Sequence, residues 1–184
     1  MNEKQGFVLW FTGLPCSGKT TLSAAVAQKL LSEGYKVERL DGDTFRKKFS
    51  ANLGFSKADR EKNIERAATM ASSLAKNGVI GVVSFISPYR QMRENARRQI
   101  KNFIEIYVRC PIEVCEKRDV KGMYVLARQG KVSEFTGVSH PYEEPLQPEI
   151  TVDTDQMDLA TCVIKILDYL DANKLVTRKK AAAS

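Results

Sequence analysis

The stretch 7-FVLWFTGLPCSGKTTL-22 decides the fold. Its first six residues are apolar or β-branched, as in a strand covered on both faces. The chain then turns through Gly13, Leu14, Pro15, Cys16, Ser17 and Gly18, and presents Lys19, Thr20 and Thr21 at the start of a helical pattern. G-x-x-x-x-G-K-[ST] between a strand and a helix is the pattern of a phosphate-binding loop. Glycines at 13 and 18 let successive N–H groups point inward, and the free N–H groups of the helix start favour an anion. Lys19 can reach outer phosphates. The Thr20 hydroxyl is a hard oxygen ligand of the kind magnesium takes. Cys16 is either a small residue filling the loop or a thiol whose pKa the phosphate nest lowers.

Outward from that stretch, apolar runs alternate with helical patterns. Strands are expected at 7–12, 37–40, 79–86, 103–108 and 149–152. Helices are expected at 19–34, 57–77, 90–101 and 156–173, with Gly34 and Gly78 as stops and Ser56 and Asp59 as a capping-box start. Residues 90–101 read as very polar. This alternation implies an α/β fold, a central parallel sheet with helices on both faces and ligands at the carboxyl ends of its strands. One domain over residues 1–184 is expected. Residues 119–148 lack strong periodicity and hold six glycines and prolines, which marks them as a lid, or else as disorder. The end, 177-TRKKAAAS-184, reads as a flexible tail.

Lysines and arginines number 29 against 22 acids, a formal charge of +7, which suits polyanionic ligands. No aromatic-basic stacking motif points to nucleic acid. No apolar run approaches a membrane span, and no secretory leader precedes the first strand, so a cytoplasmic location is expected. Four cysteines without a CxxC pair and a single histidine, His140, argue against a disulfide framework or a histidine-rich metal site.

A phosphate loop does not name the reaction. No guanine-reading N-K-x-D occurs. The second expected strand ends in 40-LDGDTF-45, which puts Asp41 and Asp43 at the ligand edge of the sheet. If the segment is extended, both side chains point the same way. Either can orient an acceptor hydroxyl and take its proton, or only cap a helix starting near Phe45. The segment 57-KADREKNIER-66 is equally a solvated helix face and a set of anion-binding guanidiniums.

Taken together, 13-GLPCSGKTT-21, 41-DGDTFR-46, 53-LGFSKADREKNIER-66, 84-SFISPYR-90, 115-CEKRDVKGMY-124 and 135-FTGVSHPYEEP-145 closely resemble the adenylylsulfate kinases. The series runs in family order over about residues 6–154. The resemblance implies a P-loop, nucleoside-monophosphate-kinase-like fold, ATP and adenosine 5′-phosphosulfate as substrates, magnesium, and a homodimer. The implied reaction is transfer of the γ-phosphate to the 3′-hydroxyl, giving the activated sulfate donor used in sulfate assimilation. Functional coupling to an ATP sulfurylase goes with it. Carried over by position, Asp41 engages the 3′-hydroxyl and, with Thr20, the metal. Asp43, Arg46, Phe55, Arg60, Asn63, Ile86, Ser87, Lys121 and Phe135 form the acceptor side, with Phe55 and Phe135 sandwiching the adenine. Ser87 matches a serine proposed in the family as a phosphoserine intermediate, although in-line transfer needs none. Arg118 and Arg128 are candidates for charge stabilisation or plain surface pairing. Val125 and Leu126 stand where two lysines are common, and Thr44 where asparagine is frequent.

Overall fold

The computed structural model describes residues 6–177. In chain order the elements are β1 (Val8–Thr12), α1 (Lys19–Ser32), β2 (Val37–Asp41), α2 (Gly42–Phe49), α3 (Lys57–Lys76), β3 (Ile80–Ser84), α4 (Arg90–Gln99), β4 (Phe103–Arg109), α5 (Ile112–Lys117), α6 (Met123–Arg128), β5 (Ile150–Asp153) and α7 (Leu159–Ala172). The strands form one parallel sheet in the order β2-β3-β1-β4-β5.

Strand alternation divides the core between the two faces of the sheet. Leu9, Phe11, Ile80, Val82, Ile106 and Val108 pack under Leu22, Val26 and Leu30 of α1 and Ile166, Leu167 and Leu170 of α7. Val8, Trp10, Leu40, Val83 and Phe103 face the alanine-rich stripe of α3 (Ala67, Ala68, Ala71, Ala75) and Met92 and Ala96 of α4. Both faces of β1 and β3 are therefore buried, which is why those strands read as continuous apolar runs. The expected stops hold: Gly34 and Gly78 take left-handed φ of 89° and 73°. The Ser56 hydroxyl accepts from the Asp59 amide at 3.1 Å.

Three local expectations are corrected. The segment 119–148 is not free of regular structure, because α6 lies inside it. The Asp119 carboxylate builds that helix start by accepting from the amides of Met123 (2.9 Å), Tyr124 (2.7 Å) and Val125 (3.3 Å). Helix α5 is also present, six residues long, too short for periodicity to reveal. Finally, α2 starts at Gly42 directly after β2, with Asp41 as its N-cap. Asp43 is therefore helical, and the shared projection of Asp41 and Asp43 along an extended strand does not occur. Of the tail expected at 177–184, residues 178–184 lie outside the described residues.

Candidate active site

The turn after β1 requires its glycines. At Gly13 (φ 155°) a Cβ would sit 2.4 Å from the Val108 carbonyl oxygen, and Gly18 has φ 97°. Cys16 adopts a left-handed φ of 61° without being glycine. Lys19 is buried in the loop and its Nζ donates to the Leu14 carbonyl at 2.6 Å. Burial lowers its pKa from the ordinary lysine value to about 8. The Ser17 hydroxyl is buried without a hydrogen-bond partner among the described residues, inside the same turn. At Cys16, burial, then the charge of Asp119, raises the thiol pKa, and Lys19 and Lys121 only partly oppose them.

At the end of β2, Asp41 combines two roles. One oxygen accepts from the amides of Asp43 and Thr44, capping α2. The other accepts from the Thr20 hydroxyl at 3.0 Å, across the gap between β2 and the first turn of α1. A threonine hydroxyl and a carboxylate are hard oxygens, and this pair suits a magnesium ion that keeps most of its water. Among the described residues no cluster of three histidine, cysteine or acidic side chains could hold a metal unaided.

Beside the loop lies a cavity of about 440 Å³, walled by Arg118, Val120, Thr154, Met157 and Leu159. Arg118 donates to the Thr154 carbonyl (2.6 Å), and Thr154 in turn donates to the Ser17 carbonyl (2.8 Å). The wall of the cavity and the phosphate loop are therefore one hydrogen-bonded unit. Arg128, by contrast, pairs with Glu116 at the surface.

The other side of the cleft is built from side chains holding carbonyls. Arg46 donates to Leu53 and Gly54 (3.0 and 2.7 Å), and its guanidinium lies 4.5 Å from the ring centroid of Phe55. Arg60 donates to the carbonyls of Phe55 and Glu134 and to the Thr136 hydroxyl (2.8 Å). It thereby ties the segment of Phe55 to that of Phe135. Phe55 is 58% exposed, unusual for a phenylalanine flanked by two cations. Phe135 packs edge-on against Tyr124 at 4.9 Å. Asn63 is buried and its Oδ1 has no partner among the described residues, although its neighbours in α3 read as surface. Lys121 reaches from the 119–148 segment to Asp43 at 2.6 Å, with both side chains exposed.

Ser87 sits differently from a nucleophile. It is 1% exposed, in a left-handed turn of φ 46°, and its hydroxyl accepts the Trp10 indole N–H at 3.0 Å. Ile86, half-buried, accepts the Thr12 hydroxyl at its carbonyl (2.7 Å). The side chain that pins this turn was not singled out in the sequence. Arg93 of α4 is buried and donates to the Ser87 carbonyl (2.6 Å), the Glu143 carbonyl (2.6 Å) and the Glu105 carboxylate (2.7 Å). Arg97 and Glu149 extend that network. The helical spacing of Arg93 with Met92 and Ala96, the other buried residues of α4, was the available signal, masked by the polarity of the whole helix.

The chain as a whole matches known proteins. The family model for adenylylsulphate kinase matches residues 5–153. This chain belongs to the adenylylsulfate kinase family. An adenylyl-sulfate kinase of Halothermothrix orenii is 46% identical over 93% of this chain and 92% of its own length. One from a Synechococcus strain is 48% identical over 95% and 99%. Among solved structures, the Mycobacterium tuberculosis APS kinase CysC in complex with AMPPNP and APS superposes with a TM-score of 0.87. It shares 37% identity over 91% of this chain and 98% of that one. A gluconokinase from Sinorhizobium meliloti, at 18% identity and a TM-score of 0.61, shares the fold alone.

Proposed function

We propose that this member of the adenylylsulfate kinase family transfers the γ-phosphate of ATP to the 3′-hydroxyl of adenosine 5′-phosphosulfate, releasing ADP and 3′-phosphoadenosine 5′-phosphosulfate. The observation that carries this reading is Asp41. It touches the donor side through Thr20 and opens the acceptor side through α2, so the reacting groups meet at one carboxylate.

The loop amides of residues 13–21 cradle the phosphates, and Lys19 exchanges its Leu14 carbonyl for a phosphate oxygen. The cavity walled by Arg118, Val120 and Leu159 takes the ATP base. Asp41 orients the acceptor hydroxyl and receives its proton. Arg46 and Arg60 offer guanidiniums to the phosphosulfate, Asn63 offers its unpartnered amide oxygen to a hydroxyl or amino donor of the acceptor, and Phe55 and Phe135 stack on the acceptor adenine. Asp43 holds Lys121 over the site, and Ile86 and Ser87 shape its floor through backbone. Transfer is direct and in line, with no phosphoserine, because positioning and charge supply the catalysis. Thr20 and Asp41 would hold magnesium, whose charge neutralises the phosphates when it is bound.

The molecule acts as one domain in which residues 119–148 form the lid. A homodimer is the proposed assembly; a hexameric APS kinase from Thiobacillus denitrificans, 33% identical with a TM-score of 0.74, supports self-association in the family. That relative is much longer, this chain covering 31% of it. No helix among the described residues is long and apolar enough to cross a membrane. A cytoplasmic location, coupling to an ATP sulfurylase and the absence of any nucleic-acid or membrane partner complete the reading.

The test offers ATP and magnesium with adenosine 5′-phosphosulfate, AMP, CMP or adenosine in parallel. Phosphorylation of the phosphosulfate alone, at its 3′-hydroxyl, is expected. Transfer only to another acceptor would reassign the substrate, and nucleotide binding without any transfer would make the chain a binding module.

A further inference from the structure

Ser84 ends β3 and is 5% exposed, yet its hydroxyl has no hydrogen-bond partner among the described residues. A buried hydroxyl left unpaired is costly, and in a native fold it calls for an explanation, such as a water or ion that completes it. The direction of the side chain follows from the strand. Val82 and Ile80, two and four residues back, lie in the cluster under α1, whereas Val83 lies in the cluster on the opposite face. Alternation therefore points Ser84 toward α1.

The register supplies the neighbour. Ser84 is paired with Asp41 across the parallel β2–β3 ladder, and Leu40 belongs to the opposite face, so Asp41 and Ser84 project to the same side. Asp41 there accepts from Thr20 in the first turn of α1. Ser23, the next serine in α1, is already committed to the Thr20 carbonyl at 3.1 Å. The register thus sets Ser84 beside Asp41 on the face of the sheet where Asp41 meets Thr20. Of the three, Ser84 alone is both buried and unused.

We infer that Ser84 is an additional positioning residue of the donor side, whose hydroxyl hydrogen-bonds a water carried by the divalent cation of the bound nucleotide. Its contact is with that water and not with the reacting oxygens. The inference rests on the donor-side reading given above and deepens it. A serine is well suited to holding such a water. It accepts and donates with one oxygen, adds no charge beside Asp41, and fits under α1 where a longer acid would not stay buried unpaired.

The test uses the full chain, wild type and Ser84→Ala, with Ser84→Cys as a second variant of nearly equal size. Affinities for ADP alone and for ADP with magnesium are measured by calorimetry, and Tm is measured without ligand. For Ser84→Ala the ligand-free Tm is expected to hold or to rise by about 2 °C, because an unpaired group is removed. The gain in ADP affinity that magnesium brings is expected to shrink about tenfold, while affinity for ADP alone stays within about twofold. Ser84→Cys, a weak hydrogen-bonding group, is expected to fall between. An unchanged magnesium gain in both variants overturns the inference, whatever the Tm. A fall in ligand-free Tm overturns it too, since the hydroxyl would then have a partner in the empty fold. If the wild type itself gains nothing from magnesium, the donor-side reading fails and Ser84 goes with it; a wild-type gain with no variant effect sinks Ser84 alone.

Discussion

The two sides of the cleft are made differently. The proposed donor side is built from backbone: glycines with positive φ, a buried lysine satisfied by a carbonyl, and a loop tied to its neighbours by Thr154 and Arg118. On the acceptor side long side chains hold loops in place. Arg46 and Arg60 commit their donors to carbonyls, Phe55 stands in solvent, and Lys121 meets Asp43 through an exposed ion pair. A backbone nest is rigid because its shape is set by φ and ψ, and it recognises the phosphates common to all nucleotides. Arginine-held loops can be respecified by substitution and reordered by a ligand. On the proposed reading, the difference separates generic phosphate recognition from the choice of acceptor.

The largest expected effect comes from breaking the donor side. Lys19→Met removes the buried cation of the nest, and a loss of about a thousandfold or more in kcat is expected, read by transfer assay. On the acceptor side, Arg60→Met cuts the tie between Phe55 and Phe135. The acceptor KM is expected to rise about tenfold to a hundredfold with the ATP KM nearly unchanged, a split that steady-state kinetics in both substrates reads directly. Equal rises in both KM values would erase the distinction between the two sides. Phe55→Ala, at an exposed position, is expected to raise the acceptor KM about tenfold and to change stability by less than about 0.5 kcal/mol, checked by denaturant melts.

Protonation sharpens the same comparison. Lys19 has a folded-state pKa of about 8 against 10.5 for an ordinary lysine. Between those values the unfolded chain binds more protons, so ligand-free stability rises with pH across that window. Nucleotide phosphates favour the charged form, so ATP binding at about pH 8.5 is expected to take up protons. Calorimetry in two buffers of different ionisation enthalpy measures the uptake, and Lys19→Met should abolish it. The smallest effect belongs to the exposed pair of Lys121 and Asp43. Lys121→Ala is expected to cost well under about 1 kcal/mol of stability, and the loss should fade with added salt.

The shape of the loop after β1 was legible in the sequence almost completely, because a nest is written in consecutive residues. Gly13, Gly18, Lys19 and Thr20 sit within eight positions, and the strand and helix flanking them are long enough to declare themselves. The sheet was legible for the same reason. The acceptor side was legible only through the family resemblance, since Arg46, Arg60 and Phe135 become neighbours through tertiary contacts that no local period encodes. Arg93 and Ser84 were missed on similar grounds. A buried arginine looks solvated when its helix is polar, and an orphaned hydroxyl looks like any serine until its partners are counted. At Ser87 the motif position could not show that the hydroxyl accepts the Trp10 indole N–H. Short helices such as α5 and α6 are set by caps and contacts, which periodicity does not see.

Asp41 is where the two sides meet, and Asp41→Asn tests that most directly. Asparagine caps a helix as well as aspartate does, so α2 and the Tm should be retained while the proton acceptor is lost. Single-turnover transfer from bound ATP to adenosine 5′-phosphosulfate is expected to slow by about a hundredfold or more, with ATP affinity reduced far less. Transfer at a rate close to wild type would contradict the account, leaving Asp41 as a helix cap and placing the reaction centre elsewhere in the cleft.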